Sequence, residues 1–104
     1  MPYAYGWEKL HTAVLTLSGA GSQAKRLTDA FVFSLGQIRP EEHLPEHLRA
    51  EFITLIESLT EKDAVADEGN AEATIFEMDE LELNQSIEKI IGIYDSICRE
   101  MPKY

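Results

Sequence analysis

Apolar residues recur every three or four positions along most of this sequence, which places them on one face of a helix. The first such stretch covers about residues 6–18, and its apolar stripe consists of Trp7, Leu10, Val14 and Leu17. The run SGAGS follows at 18–22. Gly19 and Gly21 favour the end of a helix, and Ser22 favours the start of the next one.

The second predicted helix spans about residues 23–38, with a stripe formed by Ala24, Leu27, Phe31, Leu35 and Ile38. Val32 and Phe33 fall outside this stripe, so we expect the helix to be covered on more than one side. The helix is predicted to end before Arg39, because Pro40 disfavours the helical conformation of the residue that precedes it.

The run RPEEHLPEH at 39–47 is predicted to be a connection that leads into a third helix. Pro45 is expected in the first turn, where the missing N–H costs nothing. This helix should run to about residue 60, with a buried stripe formed by Leu48, Phe52, Leu55, Ile56 and Leu59.

A polar stretch around Gly69 separates the third helix from the last one. Asn70 is predicted to cap a short helical turn, and Asp79 with Glu82 has the spacing of a capping box. The last helix, about residues 80–100, has the clearest apolar period, with Ile91 and Cys98 widening a stripe formed by Leu83, Ile87, Ile90, Tyr94, Ile97 and Met101.

Each of these four helices needs a partner for its apolar face, and no alternating strand pattern competes with the helical spacing. The fold class that we predict is therefore all-α. The expected architecture is an antiparallel four-helix bundle with a short extra helical turn before the last helix. With 104 residues, the chain is expected to form a single helical domain over residues 1–104.

The formal net charge is −10, and its excess of acids lies in one segment. Residues 57–88 contain eleven acids and one base, Lys62, while the remaining residues are balanced. Such a field repels phosphate backbones and anionic membrane surfaces, so neither nucleic acid nor membrane is expected as a partner. It favours a basic protein partner, and the predicted partner-binding residues are Asp67, Glu68, Glu72, Asp79, Glu80 and Glu82. The alternative is an acidic surface that is only solvated.

The N-terminal segment and the cysteine usage indicate a cytoplasmic protein. The N-terminus lacks the basic start of a signal peptide, and its apolar run AVLTLSGA is too short to span a bilayer. One cysteine, Cys98, excludes an internal disulfide. Its place on the last apolar stripe predicts a structural role for this thiol.

The string His43–Leu44–Pro45–Glu46–His47 matches H-x-x-E-H, a zinc-peptidase pattern in which two histidines on one helical face bind the metal. Pro45 interrupts the helix that this geometry requires. No calcium-binding loop pattern fits the acidic segment. Glu8 and His11 match the Glu-x-x-His pattern of di-metal helical bundles, but a di-metal site needs this pattern twice and it occurs once, so we predict an exposed pair. We predict no catalytic residue, no metal and no cofactor.

The leading hypothesis is a small acidic protein that acts by protein–protein interaction, as an adaptor, regulator or inhibitor of a basic partner, and not as an enzyme. One alternative is a metal-dependent hydrolase or metal-binding protein that uses His43, Glu46 and His47. Another is a homodimeric structural bundle whose seam contains Val32 and Phe33. The sequence leaves monomer and homodimer open.

Overall fold

A computed structural model describes residues 3–64 and 69–101 of the chain. Every regular element in these two ranges is helical, which confirms the all-α prediction for the described residues. They contain a 3₁₀ turn, Leu35–Gln37, and the α-helices α1 (Ala4–Leu17), α2 (Gln23–Phe33), α3 (Pro40–His43), α4 (Glu46–Leu59), α5 (Asn70–Ile75) and α6 (Glu80–Cys98).

The junction between α1 and α2 follows the local signals in the sequence. Gly21 has a φ of 97°, a left-handed backbone conformation that residues other than glycine rarely adopt. The Ser22 side chain accepts the Lys25 N–H at 3.1 Å, which confirms its predicted capping role. The Arg26 guanidinium donates to the Leu17 carbonyl at 2.8 Å, so α2 also satisfies one of the carbonyls at the end of α1.

Helix α2 ends at Phe33, five residues before the predicted boundary at Ile38. The chain leaves the α conformation at Ser34, makes the 3₁₀ turn through Gly36 and is extended at Ile38. Glycine stabilises an α-helix poorly, which favours a break at Gly36. Leu35 and Ile38 are both buried in the conformation that follows the break, and this burial stabilises it. The prediction of one continuous helix over 23–38 was therefore wrong.

The segment predicted as a connection contains a short helix, α3, with Pro40 at its start. Leu44 is buried and extended before Pro45, as the proline requires. Pro45 itself precedes α4 at the N-cap position, so its predicted place inside the first turn was off by one residue.

The last two helices begin with different caps. Helix α5 starts after Gly69, and the Asn70 side chain accepts the Ala64 N–H at 2.9 Å. Asn70 therefore binds Ala64 and does not cap α5 as predicted. At α6 the Asp79 side chain accepts the Glu82 N–H at 2.8 Å, and the Glu82 side chain accepts the Asp79 N–H at 3.0 Å. This reciprocal pair confirms the predicted capping box.

The buried face of α6 differs in part from the predicted stripe. Leu83, Ile90 and Ile97 are buried as expected, and Ile93 joins them fully buried. Ile91 is 47% exposed, so the prediction that it widens the stripe was wrong. Steps of three and four residues drift around the helix, and the position of the neighbouring helices decides which of the flanking residues is covered.

The packing of the longer helices leaves one side open. Helix α1 packs against α2 and α6, and α6 packs against α4. Helices α2 and α4, both wholly within the described residues, form no comparable contact with each other. Short helix α5 touches both of them, and α1 also approaches α3. The buried core is continuous across these helices, with Phe52 its largest fully buried side chain.

Candidate functional site

An apolar groove lies on the open side between α2 and α4. Its volume is about 250 Å³. The apolar side chains that line it come from α2, the 3₁₀ turn, the extended residue after it and α4, and they are Phe31, Leu35, Ile38, Phe52, Ile53 and Ile56. Leu35 and Phe52 belong to the hydrophobic core, so the floor of the groove is the core itself.

The groove follows from the early end of α2. Because the chain leaves the helix at Ser34, the next residues turn inward and α3 begins at Pro40, which also lines the groove. Helix α4 supplies the opposite wall, where Ile53 is 45% exposed. An exposed isoleucine beside half-buried Phe31 and Ile56 makes an apolar surface in direct continuity with the core.

The chemistry of the groove favours binding over catalysis. Among its lining side chains, Glu57 is the one that ionises, and no His, Cys, Ser or Thr accompanies it. The volume lies below the range of about 300–1,000 Å³ that small-molecule sites usually occupy. A space of this size and polarity suits one or two apolar side chains of another polypeptide.

The predicted acidic site is only partly brought together. Asp67 and Glu68 lie outside the described residues. Asp79 and Glu82 are engaged in the capping box of α6, while Glu72 and Glu80 are exposed and form no ion pair with any described cation.

Two contacts join Lys62 to α5 and to the turn that follows α5. The Lys62 ammonium lies 3.0 Å from the Glu77 carboxylate, and the Lys62 N–H donates to the Thr74 hydroxyl at 2.9 Å. Further along, Glu61 and Glu82 line a shallow depression of about 130 Å³ together with Lys89. The acids within the described residues therefore serve helix capping, local ion pairing and solvation, and they do not form one continuous pocket.

The H-x-x-E-H string is divided between two helices. His43 ends α3, its Nδ1 accepts the Arg39 N–H at 2.8 Å, and its ring packs against the Tyr5 ring at 4.4 Å between centroids. His47 is exposed on α4, with Nε2 at 3.4 Å from the Glu100 carboxylate. Within 3–64 and 69–101, no group of three His, Cys, Asp or Glu side chains is placed to hold a metal ion. The metal-dependent alternative gains no geometric support from this arrangement.

A polar aromatic cluster joins α1 to α6. The Trp7 indole N–H donates to Cys98 Sγ at 3.2 Å, and the His11 Nδ1 lies 2.8 Å from the Tyr94 hydroxyl. The Trp7 and His11 rings stack at 5.0 Å. Burial raises the pKa of Tyr94, and the neighbouring Cys98 thiol adds to the rise.

Sequence reasoning missed this cluster, although its residues repeat at four-residue spacing on each helix. His11 was expected to form an exposed pair with Glu8, and that expectation was wrong, because the ring is half-buried and contacts Tyr94 across the helix interface. These contacts join α1 to α6, and Cys98 Sγ is the acceptor of the hydrogen bond from Trp7.

Among the helices of the described ranges, none combines the length and apolar character that a membrane span requires. In the comparisons with known proteins, no family model, no curated protein and no solved structure matches this chain.

Proposed function

We propose that this protein acts by binding another protein, and that the apolar groove between α2 and α4 is its docking surface. The observation that carries this proposal is the open side of the helical packing, where Ile53 is exposed and Phe31 and Ile56 are half-buried between α2 and α4. We infer that α1, α2, α4 and α6 form a four-helix bundle in a single domain, with one of its four sides incompletely closed.

The physical reason is the burial of apolar surface on binding. Each CH₂ group that leaves water contributes about 0.8 kcal/mol, so inserting one or two aliphatic side chains over Ile53 and Phe31 supplies the centre of an interface. The scarcity of polar groups in the groove means that little hydrogen-bonding potential is lost when water leaves.

The acidic surplus fits the same proposal in a supporting role. A net charge of −10 accelerates encounters with a basic partner and disfavours nucleic acid and anionic lipid. Exposed Glu72 and Glu80 would steer the approach without lying in the groove. We place this interaction in the cytoplasm, as a regulator, adaptor or inhibitor of a basic protein, and assign the chain no enzymatic activity.

The test is site-specific photo-crosslinking in a lysate of the source cells. A photoreactive amino acid replaces Ile53 in one variant and Leu15, which is 58% exposed on α1 outside the groove, in the control. We expect a discrete covalent adduct from position 53 that position 15 does not give. The same adduct pattern at both positions, or no adduct at 53, would refute the groove as the docking surface.

A homodimer is the second candidate, because Val32 and Phe33 on α2 are 51% and 65% exposed. A second copy of the chain could cover these two apolar side chains. Light scattering that gives the mass of one chain at high concentration would exclude the homodimer.

A further inference from the structure

We infer that the groove receives an amphipathic helix of the partner that carries lysine or arginine beside its apolar face. This inference rests on the proposed function and names the chemistry of the occupant. Three observations lead to it: the lack of a substantial contact between α2 and α4, the size of the groove, and the charge of Glu57 in its lining.

The packing of the helices sets the shape of the occupant. Three of the four sides of the proposed bundle, α2–α1, α1–α6 and α6–α4, are closed by direct contacts between helices. On the fourth side, α5 touches both α2 and α4 but has six residues, and it leaves the stretch from Phe31 to Ile56 open. A helix laid in this position packs against two helical walls, as the helices of a bundle do.

The size of the groove sets the number of anchoring side chains. About 250 Å³ holds one or two aliphatic side chains, such as a pair of leucines at i and i+3 or i+4 on one helix face. Leu35 and Phe52 form the floor beneath them, and Ile53 flanks the entrance. The rest of the partner helix stays at the rim, where its polar side chains meet water.

The charge at the rim sets the sign of those polar side chains. Glu57 lines the groove one turn after Ile53 on α4. The segment 35–59, which supplies most of the lining, has five acids against two bases. Both bases are engaged locally: Arg39 lies 3.5 Å from the Glu42 carboxylate, and Arg49 donates to the Leu44 carbonyl at 3.0 Å. Glu57 therefore presents a negative charge to an incoming helix, and neither arginine of the segment lines the groove.

The same charge disfavours a second copy of this chain as the occupant. Each copy carries a net charge of −10, and Glu57 lines the groove of each copy. Like charges across an interface reduce affinity, whereas lysine or arginine at these positions complements Glu57.

The experiment uses three synthetic helical peptides of about 15 residues each, titrated against the full chain by fluorescence anisotropy. The first has leucines at i, i+3, i+4 and i+7 with flanking lysines. The second replaces the lysines by glutamates, and the third scrambles the first, so that total charge is kept and the apolar face is lost. We expect the first peptide to bind at least about tenfold more tightly than either of the others.

Two variants locate the binding on the chain. Ile53→Ser should weaken binding of the lysine peptide by about tenfold, because an apolar contact is lost, while Leu15→Ser leaves the affinity for this peptide unchanged. Glu57→Gln should weaken it by about threefold and reduce its dependence on salt. Circular dichroism checks that the variants keep their helical content.

Equal affinity for the lysine and glutamate peptides, or an Ile53→Ser variant that binds normally, would overturn the inference. The two levels of the proposal fail differently. A position-specific adduct at residue 53 without peptide binding would reject a basic helix as the occupant and leave protein binding intact. Absence of both would reject the docking surface as well.

Discussion

Gly6 supports the sharpest stability prediction, because its hydrogen atom allows α1 to approach α3. A Cβ at this position would overlap the carbonyl oxygen of His43 and lie 3.1 Å from the carbonyl carbon. These are backbone atoms at the end of α3, which cannot rotate away as a flexible side chain would. Gly92, in the interior of α6, offers the opposite case, since a Cβ there meets nothing within 4 Å.

The two replacements by alanine should change stability in opposite directions. Overlap with backbone atoms places the cost in the upper part of the usual overpacking range, about 2–3 kcal/mol, and alanine at position 6 recovers about 1 kcal/mol of helix propensity. For Gly6→Ala we therefore expect a net loss of about 1–2 kcal/mol in the free energy of unfolding. Gly92→Ala has only the propensity term and should gain about 1 kcal/mol.

Urea denaturation followed by circular dichroism measures both effects on the same scale. A difference of about 2–3 kcal/mol in the free energy of unfolding should separate the urea midpoints of the two variants, with little change in the m-value. Thermal melts should place Gly6→Ala below the parent chain and Gly92→Ala above it, by about 4–8 °C for each kcal/mol. If Gly6→Ala proves as stable as Gly92→Ala, the close approach of α1 to α3 is refuted.

Three further predictions concern single side chains. Asp79→Ala removes the cap of α6 and should cost about 1 kcal/mol of unfolding free energy in urea; an unchanged midpoint would contradict the capping box. Ser34→Ala should stabilise the fold by about 1 kcal/mol, because the buried Ser34 hydroxyl meets no hydrogen-bond partner among the described residues; a clear loss would argue against this. Since burial raises the pKa of Tyr94, the folded state resists its ionisation, and stability should fall as the pH rises above the ordinary value of 10.0. In urea titrations at several pH values, Tyr94→Phe should lose less stability over that range than the parent chain. Equal losses in the two proteins would refute the assignment of this pH dependence to Tyr94.

The helices and several of their ends are determined by the sequence alone. The spacing of apolar residues predicts four long helices, and the structure contains a helix at each of those places. Ser22 and the pair Asp79–Glu82 were predicted as caps, and both form. These features depend on atoms within a few residues of one another, so local geometry and the polarity of the side chains suffice to predict them.

The candidate site could be identified only from the tertiary structure. No local signal shows that α2 and α4 stay apart, that the chain turns inward at Ser34, or that Ile93 is buried while Ile91 is exposed. The acids predicted as partner-binding residues were visible as a charge pattern, but two of them prove to cap a helix. Trp7 and Cys98 lie far apart in the sequence and meet only across two packed helices. The sequence determined which faces are apolar; the tertiary structure decided which of them remain uncovered, because that depends on distances between helices that no short stretch of chain encodes.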